Sequence, residues 1–257
     1  MVTRDQEAML TKVPAVTLGF WIIKILATTF GETAGDTVSM SLNLGYLLST
    51  GIFAIALAVL IAWQIRAPRF HPALYWATIV ASTTAGTTMA DFATRSLGIG
   101  YPGGSALLLT CLLASLFVWH RMLGTISVRS IHRPDAELYY WITITFSQTL
   151  GTALGDWVAD GPLGYSGAAI IFGSAIAVLG LAYFFPRINR VALFWMAFVL
   201  TRPLGAAVGD FLDKPVANGG LELSRAAAAA VLAGAIILLI WLVPQRAGSR
   251  HAAAAVS

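Results

Sequence analysis

One block of residues occurs four times along the chain without a gap: FWIIKILATTFGETAGD (20–36), YWATIVASTTAGTTMAD (75–91), YWITITFSQTLGTALGD (140–156) and FWMAFVLTRPLGAAVGD (194–210). Each copy opens on Phe or Tyr followed by Trp (Trp21, Trp76, Trp141, Trp195). Each carries a glycine at the same place (Gly31, Gly86, Gly151, Gly205) and ends on aspartate (Asp36, Asp91, Asp156, Asp210). A repeat of this kind fixes the plan of a fold before any local reading, because one supersecondary unit is built several times and its copies pack on one another. A weaker echo follows each block. Tyr46, Tyr101 and Tyr165 stand in Leu/Ile-Gly-Tyr triplets nine or ten residues after the aspartate, and the fourth copy has Gly219-Gly220-Leu221 there.

The repeat sits in a very apolar chain. Of its 257 residues 58% are hydrophobic and 11% charged, with a mean hydropathy of +0.77, whereas soluble domains carry about 25% charged residues. One soluble core cannot hide that much apolar surface, so lipid must solvate much of it. Eight apolar stretches approach the roughly 20 residues of a spanning helix: Val13–Asp36, Leu42–Ile65, Pro72–Phe92, Ser105–Met122, Ala136–Trp157, Gly167–Phe185, Val191–Phe211 and Ala226–Val243. None alternates with a strand period, which argues against a barrel. The predicted fold is an all-α membrane protein, a single transmembrane domain over 1–257. Eight helices form four parallel tandem hairpins (about 13–66, 72–122, 136–186 and 191–243), and 246–257 is a cytoplasmic tail.

Orientation follows from basic residues. Arg4, Lys12, Arg66, Arg69, Arg121, Arg129, Arg133, Arg187, Arg190, Arg246 and Arg250 fall on one side, only Arg95, Lys214 and Arg225 on the other, and Lys24 and Arg202 inside helices. Both termini are therefore expected in the cytoplasm, in keeping with an even number of spans in a bacterial inner membrane. Met1–Lys12 lacks the order of a cleaved leader, so the first helix is expected to be its own signal. The net charge of +4 forms no basic stripe with interleaved aromatics, so no nucleic-acid partner is expected. The single cysteine, Cys111, excludes an internal disulfide and a cysteine cage and is read as a small buried hydrophobe.

The aromatic-Trp opening and the Gly-x-x-x-x-Asp ending, four times over about residues 14–245, resemble a family of bacterial membrane proteins defined by a repeat of unknown function, whose members are commonly labelled membrane-anchored. The resemblance implies four tandem two-helix units with a characteristic tryptophan. It implies no activity, so function has to be read from the residues.

The tryptophans lie early in each odd helix, where an interfacial anchor is expected. Small residues four apart (Gly31/Gly35, Gly86/Ala90, Gly151/Gly155, Gly205/Gly209) put a close-packing surface on each odd helix. The odd helices are thus expected to cross around a shared centre. The four aspartates stand at helix C-termini, where the macrodipole disfavours negative charge. They read either as caps and salt bridges to Arg95, Lys214 or Arg225, or as an acidic cluster facing water that concentrates cations. Stepping back by fours along one face gives Asp36, Glu32, Thr28, Lys24; Asp91, Thr87, Thr83, Ile79; Asp156, Thr152, Gln148, Ile144; and Asp210, Ala206, Arg202, Phe198. This polar stripe either lines a cavity or bonds helix to helix. Asp160 and Asp213 read as solvated loop residues.

Copy-specific charges break the symmetry: Glu32 and Lys24 in copy one, Arg202-Pro203 in copy four. A charge in lipid costs at least about 2.5–3.5 kcal/mol, so Glu32 needs Lys24 or Arg202 as partner, and Pro203 removes a helix donor beside Arg202. Copies one and two could pair against three and four as halves. The expected function is transport of an inorganic cation through the cluster Asp36, Asp91, Asp156, Asp210 and Glu32, supported by Lys24, Thr28, Thr83, Thr87, Gln148, Thr152 and Arg202. Oxygen ligands suit a hard divalent cation such as manganese, magnesium or calcium, or a proton as cargo or coupling ion. Met40 and Met89 are nearby thioethers. His71, His120, His132 and His251 lie outside the stripe, so no Cys/His metal site and no resident cofactor is expected. The alternative is a scaffold or accessory subunit with structural Asp–Arg pairs. No Ser-His or Cys-His pair falls in the apolar segments, and no enzyme activity is expected.

Overall fold

The computed structural model describes residues 10–128, 131 and 133–249. The sequence calls on Arg4, Arg129, His132, Arg250 and the tail 251–257 fall outside these residues. Among the described residues the chain forms eight helices: α1 (Leu18–Asp36), α2 (Gly45–Arg66), α3 (Pro72–Asp91), α4 (Gly100–Leu123), α5 (Pro134–Ala159), α6 (Gly164–Ala182), α7 (Arg190–Asp213) and α8 (Arg225–Leu242). Thr17 caps α1 by accepting from the Phe20 amide at 3.3 Å, and Asn189 caps α7 through the amides of Val191 and Ala192, each satisfying donors that a helix start leaves free. Pro72 and Pro134 open α3 and α5, where a missing amide costs nothing. The Gly-Tyr pairs open the even helices: Gly45, Gly100 and Gly164 hold φ of +72°, +63° and +63°, left-handed values that glycine adopts freely.

Two boundaries differ from the sequence reading by five residues. Val13 lies not in α1 but in strand β1 (Leu10–Pro14), and α4 begins at Gly100 rather than Ser105. β1 pairs antiparallel with β2 (Ala247–Ser249). Residues 246–249 are thus no free tail, and the first and last described segments meet at one end of the bundle.

The odd helices form a closed inner ring in the order α1–α3–α5–α7 and back to α1. The even helices stand outside it, each on the next copy's odd helix: α2 on α3, α4 on α5, α6 on α7, and α8 on α1. The last helix of the chain therefore completes the first hairpin. This excludes a simple split into copies one and two against three and four, since every seam of the ring has the same form.

Burial divides the two sets of helices. α3 and α5 are buried along most of their length, whereas α8 buries only Ile236 and α2 only Ser49, Leu57 and Gln64. Ile55, Val59, Trp63, Leu113, Phe117, Val178, Val231 and Trp241 stand exposed on the outer helices, an apolar surface too large for water. Five helices, α2, α4, α6, α7 and α8, are long and apolar enough to cross a membrane, which marks a membrane protein. α1, α3 and α5 are more polar because their neighbours shield them from lipid, so fewer helices meet that standard than the eight the sequence predicts.

Candidate functional site

The ring has two unlike ends. At the end near β1 and β2, the aromatic residue that opens each block meets the tryptophan of the next copy: Phe20 with Trp76 (5.5 Å between centroids), Tyr75 with Trp141 (5.7 Å), Tyr140 with Trp195 (6.4 Å) and Phe194 with Trp21 (5.8 Å). Tilted pairs of this kind are worth about 0.5–1.5 kcal/mol each beyond burial. Trp76, Trp141 and Trp195 are buried, which corrects their assignment as headgroup anchors; Trp21 alone keeps part of its surface. The buried indoles reach polar partners inside the protein, Trp76 on Gln245 and Trp195 on the Ile126 carbonyl, both at 3.0 Å. Tyr75 and Tyr140 share a hydrogen bond of 2.6 Å. This crown seals the ring.

Beyond the crown the seams run through the glycines. A Cβ on Gly31 would strike Thr83, on Gly86 Gln148, on Gly151 Arg202, and on Gly205 Thr28. Gly35 faces Thr87, Gly155 faces Ala206 and Pro203, and Gly209 faces Glu32. Each glycine thus receives the stripe residue of the following copy, and the rule closes from copy four to copy one. Backbones this close bring hydroxyls onto neighbouring carbonyls: Thr83 donates to Ala27 O, Thr28 to Thr201 O and Thr87 to Gly31 O, each at 3.1 Å. Of the two readings of the stripe, Thr28, Thr83 and Thr87 therefore bond helix to helix. Thr152 turns back on Gln148 O at 3.3 Å. Two apolar grooves lie on the outer surface, between α4 and α5 and between α3 and α8, and no carboxylate lines either.

The copy-specific charges sit where these seams meet. Glu32 pairs with Arg202 at 2.9 Å, and both are buried. Arg202 also donates to Thr28 O at 3.2 Å and to the Thr87 hydroxyl, tying copy four to copies one and two. Lys24 is not the partner of Glu32. Its ammonium reaches Thr201 Oγ1 at 3.2 Å and Gln148 Oε1 at 3.4 Å, over the Phe198 ring at 4.1 Å. Pro203, inside α7, leaves the Val199 carbonyl without its usual helical donor and packs against Gly151 and Gly155.

All four block-ending aspartates converge at the far end. Glu32, Asp156 and Asp210 each offer an oxygen within 4.8 Å of the others, as do Asp36, Asp210 and Asp213. Lys214 bridges Asp36 (2.6 Å) and Asp210 (3.0 Å) across the seam from copy four to copy one. Arg95 bridges Asp91 (2.8 Å) and Asp156 (3.5 Å) across the seam from copy two to copy three, and also meets Asp160 at 3.6 Å. Burial alone would make these cations easier to neutralise, but the carboxylates outweigh it and hold both Lys214 and Arg95 above their ordinary pKa. The aspartates thus do both things the sequence left open: they form ion pairs and they cluster. Asp36 Oδ1 and Asp156 Oδ1 are buried without a hydrogen-bond partner.

Two aspartates read as solvated loop residues make specific contacts, and the two cations expected as salt-bridge partners, Lys214 and Arg95, share one repeat position. Asp213 is buried and joins the cluster, with Arg225 Nε at 3.5 Å, and Asp160 accepts from Tyr101 and pairs with Arg95; neither is a free loop residue. Lys214 and Arg95 both stand four places after a block-ending aspartate, in copies four and two, where copies one and three have Met40 and Asp160. That alternation was the signal that could have placed them. Cys111 is half-buried on an outer helix rather than in a core, and Met89 accepts from Thr149 at 3.8 Å instead of facing a carboxylate.

No curated protein and no solved structure matches the chain. A family of repeats does, in four consecutive stretches: residues 19–70, 74–125, 139–189 and 193–247. These are the four hairpins, each running from its aromatic opening past its outer helix, and the chain belongs to the family described as Repeat of Unknown Function (DUF347).

Proposed function

We propose that the protein moves an inorganic cation across a bacterial inner membrane, with all eight helices spanning it, both termini in the cytoplasm and the acidic end outside. The observation that carries this reading is the meeting of buried carboxylates from copies one, three and four in two trios, Glu32–Asp156–Asp210 and Asp36–Asp210–Asp213, with oxygens within 4.8 Å inside each trio, and Asp91 of copy two tied to Asp156 through Arg95. Carboxylates so placed repel strongly in a low dielectric, and a hard divalent cation such as Mn²⁺, or a proton, is the natural counter-charge. Glu32, Asp156 and Asp210 would hold it deeper, Asp36, Asp210 and Asp213 nearer the surface.

The ring is no open pore. Arg202 places positive charge beneath the cluster and the aromatic crown closes the way beyond, so passage requires the crown to part. A second reading, a closed scaffold or accessory subunit, draws on the direct Thr-to-carbonyl bonds across the seams. Flux separates the two. Purified protein in liposomes should carry Mn²⁺, and Asp36→Asn and Glu32→Gln should each lower the flux at least about tenfold, a loss of about 1.4 kcal/mol of binding or barrier, while eluting as folded protein. Wild-type liposomes no leakier to Mn²⁺, Mg²⁺, Ca²⁺ or protons than empty ones would leave the scaffold reading.

A further inference from the structure

Lys214 is embedded in the acidic cluster and tethered at its edge. It follows the last residue of α7, and its ammonium lies 2.6 Å from Asp36 Oδ2 and 3.0 Å from Asp210 Oδ1. These two carboxylates and that of Asp213 form a trio with oxygens within 4.8 Å of one another. The trio is not satisfied by the lysine. The Asp213 side chain is wholly buried, yet neither of its oxygens accepts a hydrogen bond, and the guanidinium of Arg225 stands off at 3.5 Å. Asp36 Oδ1 is likewise buried without a donor. A buried carboxylate oxygen with no donor is costly, and three of them, Asp36 Oδ1 and both oxygens of Asp213, beside one ammonium and a guanidinium at 3.5 Å describe a site with acceptor capacity that the lysine leaves unused.

The lysine lies at the rim of the cluster, with 15% of its side chain exposed. Its backbone is held independently, because Lys214 O accepts from the Glu222 amide at 2.9 Å while Leu223 N and Leu221 N bond Leu212 O and Phe211 O. Moving the ammonium therefore needs side-chain rotation and no unfolding of the turn.

We propose that Lys214 is a tethered competitor, an internal cation that occupies the Asp36–Asp210–Asp213 trio and is displaced by an incoming divalent cation. This rests on the cation reading above and adds to it a specificity device. A monovalent ion brings no more charge than the ammonium it must expel, whereas a divalent ion brings twice as much and can use the oxygens the lysine leaves without a donor. The occupied state lowers apparent affinity in proportion to the fraction of free trio and keeps the carboxylates from standing bare between cargoes.

The chain has three lysines, Lys12, Lys24 and Lys214, so amine labelling reads the event directly. Wild-type protein in detergent is treated with a small amine-reactive reagent, with and without Mn²⁺ at constant ionic strength, and each lysine is quantified by mass spectrometry. Mn²⁺ should raise Lys214 modification about fivefold or more and leave Lys12 and Lys24 unchanged, and Lys214→Met should bind Mn²⁺ about tenfold more tightly by calorimetry. Mn²⁺ binding to the wild type with no change in Lys214 labelling overturns the competitor and leaves the cation reading standing. No Mn²⁺ binding by either the wild type or Lys214→Met overturns both. Binding by Lys214→Met alone supports the competitor in its strongest form. If that variant does not fold, wild-type labelling decides.

Discussion

The two ends of the inner ring are built by the same four blocks and treat them in opposite ways. At the aromatic end the repeat is kept: four openings, four tryptophans, and the same ring-to-next-copy contact all the way round. At the acidic end the repeat supplies four equivalent aspartates, and copy-specific residues then break the equivalence. Arg202, Glu32, Lys214 and Arg95 each occur in one copy only, and each sits among those carboxylates. Rings pack the same way in every copy because dispersion and edge-on contacts are local and tolerant of symmetry. Charges cannot, because four identical carboxylates at one point repel. The ends therefore divide the labour: the first holds the ring together, and the second accepts a cost in stability that function must justify.

The comparison breaks first, and by the largest margin, if the aromatic end proves dispensable. Trp141 is buried, and its ring touches Tyr140 of its own copy and Tyr75 of the preceding one. Trp141→Ala removes one contact across a seam of the ring and one within its own copy and should cost about 3–5 kcal/mol, read as a large fall in the melting temperature of the detergent-solubilised protein. A fall of only a degree or two would show that the crown is a loose gate rather than the element that closes the ring.

A smaller effect is expected midway, where the glycines sit. A Cβ on Gly205 would lie 2.8 Å from the backbone carbon of Thr28, whereas one on Gly234, on the outer helix α8, would meet nothing within 4 Å. Gly205→Ala should therefore destabilise by about 1–3 kcal/mol through overpacking. Gly234→Ala should stabilise by up to about 1 kcal/mol, since alanine is the better helix former. Equal effects at the two positions would mean that the inner helices are not in the tight register described.

Much of this was legible in the chain, and the rest was not for definite reasons. The hairpin count, the parallel copies and the close-packing role of Gly31, Gly86, Gly151 and Gly205 follow from block spacing, because a repeated position must find a repeated environment. The swap of each even helix onto the next copy was invisible, since sequence distance pairs α1 with α2 while the fold pairs α2 with α3. The tryptophans were misplaced for a related reason. Their headgroup preference describes a ring that faces lipid, and three of these face the inside of a bundle. Asp213 was misread because it follows the apolar run by position but returns to the cluster as the last residue of α7. Lys214 and Arg95 were seen as salt-bridge partners, but not as a pair at one repeat position, because the alternation appears only when the blocks are extended past their aspartates.

The smallest effect, and the one that sharpens the contrast most, belongs to Asp156. It is buried, one of its oxygens has no hydrogen-bond partner, and the other lies 3.5 Å from a partly exposed Arg95. A contact that long to a partly solvated guanidinium returns little, about 0–1 kcal/mol, while keeping a carboxylate out of water costs several kcal/mol. Asp156→Asn retains the shape and removes the charge, so in the absence of added cation the melting temperature should hold or rise. If the acidic end were a purely structural ion-pair network, the same change would instead leave a cation short of its partner and lower stability by about 2 kcal/mol or more. Thermal melts of Asp156→Asn with and without Mn²⁺ distinguish these: without the ion the variant should melt no lower than the wild type, and on adding Mn²⁺ the wild type should gain more than the variant.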